Sequence, residues 1–117
     1  MTTLLTTGAA AAETRLNPVQ LDGLLTSQTV YLDTPVGEAL IYFRADAASF
    51  ARLPNGVQMQ GTWALTEDGY CVDWVNGPQN SCTQVVRSAD ALHMVDSATG
   101  DPRGQVSRIV PGNPEGF

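Results

Sequence analysis

Residues 61–82, GTWALTEDGYCVDWVNGPQNSC, contain two strand-like runs, a turn, and two cysteines at matching distances from that turn. In Tyr70-Cys71-Val72-Asp73-Trp74-Val75 the large side chains Tyr70, Val72 and Trp74 recur at every second residue, the period of a strand with one buried face. Asn76-Gly77 follows, a pair that tolerates the positive φ of a tight reversal and is a strong hairpin signal. Folding the chain symmetrically about Asn76-Gly77 sets Trp74 against Gln79 and Cys71 against Cys82. Turn chemistry and cysteine spacing thus specify one register.

Pro78 has no N–H to give to a two-residue hairpin, so a four-residue loop over residues 75–78 is expected. Cys71 and Cys82 then form a non-hydrogen-bonded pair, with Cα atoms about 4.5 Å apart, where a disulfide can close. Such a ring would stabilise by about 2 to 3 kcal/mol on the loop-entropy view. The alternative is two reduced, buried cysteines. Two cysteines by themselves do not make a four-ligand zinc site, and their spacing is not that of a C-x-x-C redox pair.

Outward from this hairpin the chain reads as further strands. Expected strands are 29–33, 38–44, 48–53, 57–66, 69–75, 79–87, 91–96 and 104–110, separated by turn-rich breaks such as Pro54-Asn55-Gly56 and Glu67-Asp68-Gly69. The fold class is therefore mainly β: an antiparallel meander of about eight strands forming a small barrel or a two-layer sheet, either of which removes exposed edges. Before the strands, Asn17 is a good N-cap and Pro18 suits a first helical position, with Leu21, Leu24 and Leu25 on one face. This short N-terminal helix is expected to cover one end of the sheet.

In residues 57–65 alternation is clean, with Val57, Met59, Trp63 and Leu65 on one side and Gly61 occupying the inward position between Met59 and Trp63, where a missing side chain admits a bend or a crossing backbone. In residues 38–44 alternation is lost, as in a strand buried on both faces. The expected core is Leu40, Tyr42, Val57, Met59, Trp63, Leu65, Val72, Trp74, Val85, Leu92, Met94, Val106 and Ile109.

Gly61-Thr62-Trp63, the turn Glu67-Asp68-Gly69, Cys71, Trp74 and Cys82 together resemble small exported bacterial domains of unknown function in which a G-x-W strand leads into a Cys-containing hairpin, lipocalin-like or calycin-like. The resemblance covers roughly residues 16–114 and implies a small periplasmic antiparallel barrel, with no activity attached. Lipocalins proper place G-x-W on their first strand, whereas here about three strands precede it.

A chain of 117 residues is one domain with a modest core. All six basic residues are arginine, scattered along the chain, and the net charge is −6, which argues against nucleic acid as a partner. Residues 1–12, MTTLLTTGAAAA, read as the remnant of a secretory signal lacking its basic start, or as a disordered tail, with residues 13–117 as the single barrel-like domain. They are too short to span a bilayer. An exported, periplasmic or secreted, protein would meet the oxidising conditions a disulfide needs.

No catalytic signature is present, and the expectation is a non-enzymatic binding module for a small apolar ligand or a protein partner, using no cofactor and no metal. Tyr42, Trp63 and Trp74 are the candidate ligand-binding side chains, since aromatics line most small-molecule pockets; equally they fill the cores of eight-stranded barrels. His93 is the only histidine, so a two-histidine acid/base pair or a histidine metal cluster is excluded within one chain. The alternative is a structural or inhibitory protein-interaction domain without a ligand cavity; a hydrolase built on Asp73 and His93 is a lesser one, and no G-x-S-x-G elbow accompanies it. Asp90, Asp96 and Asp101 near one turn lack the ligand pattern of a calcium loop.

Overall fold

The computed structural model describes residues 14–117. The leader expected over residues 1–12 lies outside them. The elements are β1 (Thr14–Arg15), α1 (Pro18–Leu25), β2 (Gln28–Thr34), β3 (Gly37–Phe43), β4 (Ala48–Arg52), β5 (Gln58–Leu65), β6 (Tyr70–Trp74), β7 (Ser81–Ser88), β8 (Ala91–Asp96) and β9 (Pro102–Pro111). Each of the eight expected strands is there, displaced by no more than two residues at either end; β1 is an addition.

From β2 to β9 each strand pairs antiparallel with the next, and β2 returns to β9 from Gln28↔Pro111 to Asp33↔Gln105, which closes an eight-stranded meander barrel. Closure gives every strand in the ring a neighbour on both sides, which a two-layer sheet would not. β6 pairs with the first part of β7 only, Tyr70↔Thr83 to Val72↔Ser81, and β1 covers the remainder of that edge through Thr14↔Arg87 and Arg15↔Val86.

The register of the β6–β7 hairpin is the one its sequence dictates: Cys71 opposes Cys82, their Cα atoms are 4.0 Å apart, and the two sulfurs form a disulfide. The loop differs from the four-residue expectation. Trp74 donates its N–H to the Pro78 carbonyl (3.1 Å) and accepts from the Gly77 N–H (3.4 Å), leaving a three-residue connection. Proline's missing N–H is thus no obstacle, because only its carbonyl is used. Trp74 opposes Pro78 instead of Gln79, and the extra residue is absorbed at Asn80, whose φ is +50° and whose N–H is taken by the Asp73 carboxylate at 2.6 Å.

Gly61 lies opposite Trp74, and a Cβ there would run into the Asp73 carbonyl and the Trp74 Cα, so the missing side chain serves the close approach of β6.

The helix forms as its sequence indicates. Asn17 accepts from the Gln20 N–H while the Gln20 side chain accepts from the Asn17 N–H, both at 2.9 Å, a reciprocal cap with Pro18 at the first helical position. Leu21 and Leu25 are buried, and α1 packs on β2 and β5 and closes one end of the barrel. Leu16, Leu21, Leu25, Phe43, Trp63, Tyr70, Val72, Val85 and Met94 belong to one continuous core.

Two residues expected in the core are elsewhere. Val57 precedes β5 at the barrel rim and is 49% exposed. Tyr42 is on the outer face of β3, because the inward residues of that strand are Ala39, Ile41 and Phe43. Leu40, buried as expected, lies opposite Tyr31 in register and outside the inner core.

β3 is indeed covered on both sides, and the C-terminal segment supplies the outer cover. Glu115 accepts from the Tyr31 hydroxyl (2.6 Å) and from the Arg52 guanidinium (2.7 Å), while Phe117 stacks on Phe50, which stacks on Tyr42. The Tyr31 hydroxyl, and after it Arg52, hold the Glu115 carboxyl below its ordinary range.

Candidate functional site

The end of the barrel opposite α1 contains a cavity of about 350 Å³ between the β2–β3, β4–β5 and β6–β7 connections. Its wall includes Leu32, Ala39, Ile41, Ala51, Met59, Val72, Trp74 and Met94, and its rim Val36, Leu53 and Pro54. The cause is side-chain volume. An eight-stranded barrel has an interior just wide enough for side chains to fill, and here Ala39 and Ala51 occupy inward positions on adjacent strands. Below, Phe43 packs edge-on to Trp63 (5.1 Å) and to Tyr70 (5.0 Å), closing the floor.

One side of this apolar cup is polar. The period of two on β7 turns Ser81, Thr83 and Val85 inward, and Arg103 on β9 reaches across β8 to them. Its Nη1 donates to Ser81 Oγ (3.0 Å) and Thr83 Oγ1 (2.9 Å), and its Nη2 donates to the Asp96 carboxylate. Asp96 Oδ1 accepts further from the N–H groups of Ala98 (2.8 Å) and Thr99 (3.1 Å). Arg103 foremost, then those two amides, hold the Asp96 carboxyl down at about 2. A depressed carboxyl contributes stability above its ordinary value of 3.8 that is lost as pH falls through about 2, so the pair is intact at any physiological pH.

Tyr70 is buried at the base of the cavity and donates its hydroxyl to Met94 Sδ at 3.3 Å. Burial pushes its phenol up to about 12, against opposing contributions from the Thr83 hydroxyl and Arg103. Because the folded value is raised, the resulting stability is complete below the unfolded value of 10.0 and is lost as pH rises through about 12. Ultraviolet titration should show one tyrosine ionising only near pH 12, together with alkaline unfolding; Tyr70→Phe should remove that late step. A Tyr70 that ionises near pH 10 while the fold is intact would contradict this.

The three aromatic candidates are not brought together. Trp74 lines the cavity, Trp63 lies beneath it with its indole N–H given to the Arg44 carbonyl at 2.9 Å, and Tyr42 is outside the barrel against Phe50. Asp73 and His93 are also apart. Asp73 bonds Asn80, just before β7, whereas His93 faces Val86, near the other end of β7. The cavity groups that sequence reasoning did not single out are Arg103 and Thr83, nor did it place Ser81 beside them. The available signal was the inward parity of Ser81 and Thr83 on β7.

Among the described residues no three His, Cys, Asp or Glu side chains gather to hold a metal ion, and no helix is long and apolar enough to cross a membrane. No protein-family model matches the chain, and no curated protein or solved structure matches it either.

Proposed function

We propose that the protein is a non-enzymatic, exported binding module whose barrel takes up a small apolar ligand. The observation that carries this reading is the cup itself: a cavity of about 350 Å³, open at one end, apolar over most of its wall and floored by packed aromatics. That volume is at the small end of the usual range for ligand pockets, roughly 300 to 1,000 Å³, and suits a compact molecule better than a long lipid. The Cys71–Cys82 disulfide supports an oxidising, periplasmic or secreted setting. Trp74 belongs to the ligand site on this reading, with Trp63 as support from below.

The test is titration with N-phenyl-1-naphthylamine. Saturable binding with quenching of tryptophan emission is expected, and Trp74→Phe should remove most of the quenching. Ala51→Phe, which fills the cup, should abolish binding; Ala39→Leu is the milder substitute if that variant fails to fold. No saturable binding to the native protein, or binding undiminished in a folded cavity-filled variant, would overturn the reading in favour of a protein-interaction domain without a ligand.

A further inference from the structure

Taking the barrel as a ligand-binding module, we infer that its ligand is an uncharged amphiphile, an apolar body carrying one hydrogen-bond-accepting oxygen such as a ketone or ester carbonyl, and not a carboxylate. The polar side of the cup decides this through its charge and its hydrogen-bond inventory.

Arg103 is the only cationic side chain in the cavity wall among the described residues, and Asp96 already neutralises it. A carboxylate head would enter a wall of zero net charge, with the Asp96 carboxylate behind the one guanidinium it could use. Burying a charge without a counter-charge is strongly unfavourable. An uncharged head avoids that cost.

The direction of the hydrogen bonds selects an acceptor. Ser81 Oγ accepts from Arg103 Nη1, which leaves its own O–H to donate. The strong acceptors, the Asp96 oxygens, are occupied by Arg103 and by the Ala98 and Thr99 amides. The cup therefore offers the Ser81 hydroxyl as a donor beside a carboxylate already engaged. A carbonyl or ether oxygen at the end of an apolar chain complements it.

The experiment displaces bound N-phenyl-1-naphthylamine with three ten-carbon competitors, decane, 2-decanone and decanoate, at pH 7.5. The ketone should compete about tenfold better than either the hydrocarbon or the carboxylate, a factor worth about 1.4 kcal/mol. Asp96→Asn leaves Arg103 uncompensated and should improve decanoate relative to the ketone by about tenfold. Ser81→Ala should erode the advantage of ketone over hydrocarbon and serves as the second variant should Asp96→Asn fail to fold. Decanoate competing as well as the ketone against the native protein would overturn the inference, as would an unchanged affinity of decanoate relative to the ketone in folded Asp96→Asn. Failure of the naphthylamine itself to bind is a different result, and it removes the ligand-binding reading on which this one rests.

Discussion

Replacing Phe43 by alanine should destabilise the protein by about 3 to 5 kcal/mol, the range for truncating a buried aromatic. Phe43 is 0% exposed and holds two edge-on contacts at once, with Trp63 at 5.1 Å and Tyr70 at 5.0 Å. Such pairs add about 0.5 to 1.5 kcal/mol each beyond the area they bury. Relaxation around the deleted ring is limited, because its neighbours are fixed from elsewhere. The Trp63 indole is held by the Arg44 carbonyl, and the Phe43 carbonyl itself accepts from the Ser27 N–H at 2.7 Å, tying the end of β3 to the start of the barrel. A void left here lies between the helix and the ligand cup, so the cup loses its floor as well. Urea denaturation should show a lower midpoint at an unchanged slope, and naphthylamine binding should weaken or change stoichiometry. A loss below about 1 kcal/mol would mean that the floor collapses freely and that the aromatic trio is not what supports the cup.

Removal of the disulfide, as Cys71→Ala with Cys82→Ala, should cost about 3 kcal/mol. The bridge joins residues 11 apart in sequence, and the loop-entropy relation gives that magnitude for a ring of this length. Its position matters as much as its length. β6 and β7 share only three paired positions, and the bridge occupies the middle one. Beyond it the hairpin departs from regular pairing at Asn80, so without the bridge the seam between Trp74 and Ser81, both in the cavity wall, loses its covalent restraint. The alanine variant should unfold at lower urea with a steeper slope, because its unfolded chain is less compact. Non-reducing mass spectrometry of the native protein should show the two-hydrogen deficit of the bridge. Full alkylation of both cysteines without prior reduction, or a loss under about 1 kcal/mol in the variant, would go against this account.

The features legible in the sequence are those whose physics acts over a few residues. The alternation of Tyr70, Val72 and Trp74, and of Met59, Gly61 and Trp63, determined which faces turn inward, since a strand has no choice of period. The cysteine spacing gave the pairing of Cys71 with Cys82, while symmetry about Asn76-Gly77 gave Trp74 the wrong partner, and Asn17-Pro18 determined where the helix starts, because caps are local hydrogen-bonding problems. Tertiary structure decided the rest. The inward face of β3 was illegible because Leu40, Ile41, Tyr42 and Phe43 are all apolar; the outer side is covered by a segment whose Glu115 meets Arg52 from 63 residues away. The polar cluster was illegible because Ser81, Asp96 and Arg103 sit on three successive strands and become neighbours only through the register of β7 on β8 and β8 on β9. The cavity was the least legible feature. It is the difference between the interior that eight closed strands enclose and the volume their inward side chains fill, and that interior exists only once β9 has paired with β2.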